Sequence, residues 1–130
     1  MNIPERAAIV VVDDNPEFGP MLKRLLRHIA PGHTVYSCTD GDDALDYIAH
    51  HPVCCIITDY NMNHMDGLVL AQTITIQWPA VSIILLTGIL NASIQAAAKV
   101  AGCLIVLEKP VSVETLRAVI LPLLSAIPAP

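Results

Sequence analysis

The sequence predicts an α/β fold: one five-stranded parallel sheet in the order 2-1-3-4-5, doubly wound, with helices on both faces. Three observations point there. Short apolar runs rich in β-branched residues recur along the 130 residues, as strands buried on both faces require. Stretches with apolar residues at helical spacing separate them. Strict alternation of the two implies parallel strands joined by helical crossovers.

Each element has a local reason. Ala7 to Val12 is a continuous apolar run and reads as the first strand. Pro16 and Glu17 open a helix with Phe18, Leu22, Leu25, Leu26 and Ile29 at helical spacing, and Pro31-Gly32 stops it. Thr34 to Cys38 is the second strand. Asp40 caps a helix carrying Ala44, Leu45, Ile48 and Ala49, which Pro52 ends. Val53 to Thr58 is the third strand, and Asp59 to Asp66 a polar loop. A helix from about Gly67 to Trp78 stops at Pro79, and Val81 to Leu86 is the fourth strand. Asn91 caps a helix bearing Ile94, Ala97, Ala98 and Ala101, with Gly102 at its end. Cys103 to Leu107 is the fifth strand. Ser112 caps a last helix with Leu116, Val119, Ile120, Leu123 and Leu124, expected to kink at Pro122 or to end just before it.

This length holds one domain. Residues 1–6 read as a lead-in, 7–125 as the domain and 126–130 as a tail or the start of a linker. A chain 54% hydrophobic and 15% charged is not a disordered tail. Seven basic against twelve acidic residues give a net charge of −5, with no electrostatic footprint for direct nucleic-acid binding. The mean hydropathy of +0.57 raises the question of a membrane span. Residues 67–98 carry no charge, yet Gln72, Thr73, Thr75, Gln77, Pro79 and Ser82 interrupt them. A span needs about 20 consecutive, mostly apolar residues. Glu5 and Arg6 precede the first apolar run, which is no signal-peptide pattern. A cytoplasmic location with no membrane partner is the expectation.

Cys38, Cys54, Cys55 and Cys103 form no C-x-x-C pair and read as reduced core thiols. Adjacent Cys54 and Cys55 should point to opposite faces of their strand. The five histidines show no H-E-x-x-H spacing, and His50-His51 read as a helix end.

In this fold a site belongs at the carboxyl ends of the strands. The first strand is followed there by Asp13-Asp14, the third by Asp59, the fourth by Thr87-Gly88 and the fifth by Glu108-Lys109-Pro110. Taken singly, these are a turn, a polar loop and a solvated lysine. Together Asp13, Asp14, Asp59, Thr87 and Lys109 put three carboxylates, a hydroxyl and an amine on one edge. Three carboxylates in one pocket repel one another unless a cation joins them. Mg²⁺, with its preference for oxygen ligands, fits that need. A carboxylate between a metal ion and an ammonium is suited to attack phosphorus and become an aspartyl phosphate. Thr87 could donate to a phosphoryl oxygen, and Gly88 leaves space beside it.

These residues resemble the receiver domain of two-component response regulators, the chemotaxis-type regulators among them, a flavodoxin-like (βα)5 fold. The matching pieces are Val10-Val11-Val12-Asp13-Asp14-Asn15, Asp59-Tyr60-Asn61-Met62 with Met65-Asp66-Gly67, Leu86-Thr87-Gly88 and Glu108-Lys109-Pro110. The resemblance runs from about Ala7 to Leu124. It implies a switch in a phosphorelay rather than a turnover enzyme. Asp59 would accept a phosphoryl group from a histidine kinase or histidine phosphotransfer protein. Asp13, Asp14, Asp59 and the backbone carbonyl of Asn61 would hold Mg²⁺. Lys109 would contact the phosphoryl group or the Asp59 carboxylate, and Thr87 would be the switch hydroxyl. The Lys109-Pro110 peptide would be cis. Asn61 and Ile89 occupy positions that tune dephosphorylation. A downstream protein would bind the face made by the fourth helix, fifth strand and fifth helix, and a homodimer could use the same face.

The sequence also departs from the family. An aromatic residue often stands three before the lysine; here it is Val106, which has no ring to swing. The loop Met62-Asn63-His64-Met65-Asp66-Gly67 lacks the family's usual proline. Between Gly67 and Ala98 the third and fourth helices carry no charge, and Val69 and Ile76 lie off the main apolar face of the third, either as a plain solvent face or as a partner surface. Two rival readings follow. A pseudo-receiver would use the same fold as a phosphorylation-independent interaction module. A phosphatase of the aspartyl-phosphate class would want a second Asp where Asn61 stands. Nucleotide binding is disfavoured, because neither G-x-x-x-x-G-K-[ST] nor G-x-G-x-x-G occurs.

Overall fold

The computed structural model describes residues 7–62 and 64–125, so the lead-in 1–6, Asn63 and the tail 126–130 lie outside the described residues. In chain order the elements are β1 (Ala8–Val12), α1 (Phe18–Ile29), β2 (Val35–Cys38), α2 (Gly41–His50), β3 (Val53–Asp59), α3 (Gly67–Gln77), β4 (Ser82–Thr87), α4 (Ala92–Ala101), β5 (Ile105–Glu108) and α5 (Val113–Ser125). All pairings are parallel, and the sheet order is β2-β1-β3-β4-β5, as the alternation predicts.

The strands carry apolar side chains on both faces because helices cover both. On one face Ile9, Val11, Ile57, Ile84 and Leu86 pack against Leu22, Leu26 and Ile29 of α1 and Leu116 and Ile120 of α5. On the other, Val10, Val12, Ile56 and Ile83 pack against Ala44 and Ile48 of α2, Leu70, Ala71 and Ile74 of α3, and Ala101 of α4. Each fully buried Ile or Leu contributes about 1.5–3 kcal/mol, and these two layers fix the sheet.

The caps form as predicted. The side chains of Asp40, Asn91 and Ser112 accept the backbone N–H three residues on, from Asp43 at 2.7 Å, Ile94 at 2.8 Å and Thr115 at 3.1 Å. Gly102 ends α4 in the left-handed region, at φ 96°.

Three details differ from the sequence expectation. First, β3, β4 and β5 reach one residue further, taking in Asp59, Thr87 and Glu108. The ladder continues there: Tyr60 N–H donates to Leu86 O, and Lys109 N–H to Thr87 O, both at 2.8 Å. β5 also starts later, at Ile105, because the Cys103 N–H still closes α4 on Ala98 O at 2.9 Å. Second, Cys54 and Cys55 do not face opposite sides. The β1–β3 register steps from Ala8↔Val53 to Ile9↔Cys55, leaving Cys54 as an extra residue, and both cysteines pack against the α1/α5 layer. Third, of the two alternatives at Pro122, a kink or an end, the end does not occur: α5 runs on to Ser125. Pro122 and Ala118, the residue whose carbonyl loses its helical partner, are both exposed, so water can serve that carbonyl.

Candidate functional site

The carboxyl edge of the sheet gathers the predicted residues. Asp13 follows β1 and is 2% exposed; Asp59 ends β3 and is 7% exposed. Lys109, after β5, bridges them: its Nζ donates to Asp13 Oδ2 at 3.0 Å and pairs with Asp59 Oδ1 at 3.1 Å. The other Asp13 oxygen, Oδ1, accepts the Asn15 N–H at 2.8 Å, which fixes the carboxylate. Asp14 is half-buried and lines a neighbouring cavity of about 300 Å³ with Asp40, Met62, His64 and Met65. Carboxylate oxygens of Asp13, Asp14 and Asp59 lie within 4.8 Å of one another.

The other predicted residues ring this centre. Thr87 ends β4 and is 3% exposed. Its Oγ1 donates to Ile89 O at 2.9 Å and accepts the Ile89 N–H at 3.3 Å, so it holds its own loop. Gly88 is exposed, and a Cβ there would meet nothing within 4 Å, in keeping with the space expected beside Thr87. Asn61 and Ile89 are exposed, and Val106 is half-buried on β5. The Lys109-Pro110 peptide is cis.

Burial pushes the Asp59 carboxyl above the usual carboxylate range; the Lys109 hydrogen bond opposes this, and the charge of Asp13 adds to it. For Lys109, burial acts to lower the ammonium's pKa. The hydrogen bonds and charges of Asp13 and Asp59 outweigh burial and raise it.

The donor set suits a hard divalent ion. Mg²⁺ takes oxygen ligands, and three carboxylate oxygens within 4.8 Å of one another offer them. The pocket also carries more negative than positive charge, with three carboxylates against one ammonium.

Three residues already named from the sequence have roles here that the sequence reading did not assign. Asp66 caps α3 by accepting the Val69 N–H at 2.9 Å; its place three residues before Val69 could have signalled this. Glu108 Oε2 accepts the Leu90 N–H at 3.3 Å across the loop after β4. The Phe18 ring lies 4.5 Å from Lys109 Nζ. The last two contacts join distant chain positions, so no local signal foretells them.

A parallel 2-1-3-4-5 sheet with an acidic pocket and a lysine at its carboxyl edge defines the class: a doubly wound α/β domain with its site at the switch point. The model of the response regulator receiver domain family matches residues 9–121, and the chain belongs to that family. Among its relatives is the cyclic di-GMP phosphodiesterase response regulator RpfG of Xanthomonas campestris pv. campestris. It is 36% identical over 113 residues, covering 85% of this chain and 30% of that one. Sensor protein EvgS of Escherichia coli K12 is 31% identical over 117 residues, covering 90% of this chain and 10% of that protein. The chain thus spans less than a third of the length of these relatives. The solved structure of chemotaxis protein CheY4 of Vibrio cholerae superposes with a TM-score of 0.78 at 27% identity, covering 85% of this chain and 92% of that one. The family's general role is phosphorylation-dependent signalling between histidine kinases and downstream effectors, and its members generally bind Mg²⁺ at an acidic pocket. Among the described residues no helix is long and apolar enough to cross a membrane.

Proposed function

We propose that this chain is a phosphorylation switch in which Asp59 accepts the phosphoryl group of a histidine kinase or histidine phosphotransfer protein. The observation that carries this reading is the convergence of Asp13, Asp14 and Asp59 with Lys109 bridging two of them. An Asp59 oxygen attacks phosphorus, a P–O bond to the carboxylate forms, and the bond from phosphorus to the donor breaks with its electron pair leaving on the donor. Lys109 neutralises charge on the phosphoryl oxygens as they approach. Asp13, Asp14, Asp59 and the Asn61 carbonyl would hold Mg²⁺, which supplies further charge neutralisation on those oxygens when bound. Thr87 Oγ1 leaves its bonds to Ile89 and turns to the phosphoryl group, which releases the loop after β4. Asn61 and Ile89, both exposed at the mouth, set how readily water reaches the aspartyl phosphate. The readout passes to a protein partner, or to a second copy, through the face of α4, β5 and α5. Val106 takes part there without a ring. The chain acts in the cytoplasm, directly on neither nucleic acid nor membrane.

The test is intact mass after incubation with acetyl phosphate, with Mg²⁺ or with EDTA, on the wild type and Asp59→Asn. A Mg²⁺-dependent phosphoryl adduct, absent from the variant, supports the reading. Failure to form an adduct together with failure to bind Mg²⁺ would replace it with a phosphorylation-independent interaction module.

A further inference from the structure

The Lys109 ammonium has three N–H donors; it donates to Asp13 Oδ2 at 3.0 Å and pairs with Asp59 Oδ1 at 3.1 Å. The ammonium also lies over an aromatic face: Phe18, with Nζ 4.5 Å from the ring centroid. That lies well within the roughly 6 Å over which a ring quadrupole attracts a cation. Phe18 is the only phenylalanine in the chain, and it is half-buried against the α1/α5 layer.

The segment between Asp13 and Phe18 is held by a run of short bonds. Asn15 N–H donates to Asp13 Oδ1 at 2.8 Å, Glu17 N–H to Asn15 Oδ1 at 2.9 Å, and Phe18 N–H to Asn15 O at 3.2 Å. The carboxylate and the ring are therefore set relative to each other by one tight turn. Lys109, 96 residues along from Asp13, meets both the carboxylate and the ring. The β1–α1 turn grips the ammonium twice, by charge and by a π face.

We propose that Phe18 is a positioning residue for Lys109 in phosphoryl transfer to Asp59; this rests on the role given to Lys109 above. The need arises when the acceptor changes. Once an Asp59 oxygen is bonded to phosphorus, the carboxylate no longer carries a full charge, and one of the lysine's two anionic anchors weakens. The ring keeps its hold, because its attraction does not depend on the state of Asp59. The ammonium then moves a short way to the incoming phosphoryl oxygens instead of swinging into solvent.

The test compares Phe18→Leu, which keeps apolar volume and loses the π face, with Phe18→Tyr, which keeps the ring. The initial rate of Mg²⁺-dependent adduct formation from acetyl phosphate is read by intact mass, with Asp59→Asn as the blank. The expected result is a rate about three- to fivefold lower in Phe18→Leu and within about twofold of wild type in Phe18→Tyr. Equal rates in Phe18→Leu and wild type overturn the proposal. So does an equal loss in both variants, which would mark a packing role. A second measurement does not depend on phosphorylation. The Lys109 ε-methylene protons should show an upfield ring-current shift in the wild type and Phe18→Tyr, lost in Phe18→Leu. An unshifted wild-type resonance overturns the contact itself. A wild type that shows the shift but neither takes a phosphoryl group nor binds Mg²⁺ overturns the acceptor reading of Asp59, and the catalytic part of this proposal with it.

Discussion

Two glycines beside the pocket face opposite constraints. A Cβ on Gly67 would collide with the Asp59 carbonyl oxygen and come within 2.8 Å of Leu85 Cδ1 and 3.0 Å of Tyr60 Cα. Two of those three atoms are backbone, so the end of β3 would have to shift. Gly67→Ala is expected to cost about 1–3 kcal/mol in denaturant unfolding and to slow phosphoryl uptake on Asp59. Gly88 has open space at its Cβ position and no left-handed φ. Gly88→Ala is expected to unfold within about 0.5 kcal/mol of wild type, and a loss as large as that of Gly67→Ala would refute the packing account. Lys109 poses a different question of charge. Its ammonium lies 3.0 and 3.1 Å from oxygens of Asp13 and Asp59 and repels a cation placed among them. Lys109→Met removes the charge and keeps the length. It should tighten Mg²⁺ binding about tenfold by titration calorimetry while slowing phosphoryl uptake. Weaker Mg²⁺ binding in this variant would contradict a shared site for ammonium and cation.

At the scale of elements, what the sequence discloses is what is decided locally. Asp40, Asn91 and Ser112 could be read as caps because one side chain satisfies an N–H three residues away, whatever the rest of the fold does. Gly102 could be read as a helix end for the same reason. Its φ of 96° and the Thr75 side chain lying where a Cβ would go make two independent demands for glycine. Gly102→Ala is therefore expected to lower stability by about 1–2 kcal/mol, measured by thermal or denaturant unfolding. A neutral result would mean that α4 can re-end one residue away. The features that escaped the sequence belong to pairs of elements. The extra residue at Cys54 is a property of the β1–β3 register, which no single strand encodes. The reach of β3 to Asp59 and of β4 to Thr87 is set by ladder bonds to their neighbours. The passage of α5 through Pro122 depends on that turn being exposed, which is known only once the helix is docked.

For the whole molecule, the acidic centre was legible because topology, not proximity in sequence, assembles it. A doubly wound sheet sends its strand ends to one edge, so Asp13, Asp59 and Lys109 had to meet once the alternation was recognised. The Phe18 contact was not legible, since it depends on how α1 starts relative to a loop some ninety residues later. The assembled charge couples the pocket to global stability. Burial holds the Asp59 carboxyl above its ordinary range, and the Asp13 charge adds to this despite Lys109. A carboxyl raised in the folded state contributes stability that is present below its unfolded value and lost as pH rises through the folded one. In EDTA the chain should thus lose this contribution as pH rises from the ordinary carboxylate range, about pH 4, through the raised folded value. A divalent cation held by the ionised pocket would stabilise the fold by an amount that grows with the ratio of its concentration to the dissociation constant, about 2.7 kcal/mol at one hundredfold. The gap in Tm between Mg²⁺ and EDTA should therefore widen with pH over that interval. Asp59→Asn removes the titrating charge, so its Tm in EDTA near neutral pH should exceed that of the wild type by a few degrees, and its Mg²⁺ gap should shrink. Differential scanning calorimetry of both proteins across that interval, in Mg²⁺ and in EDTA, decides the matter. A gap that is flat with pH, or equal in the two proteins, would remove Asp59 from the set of cation ligands.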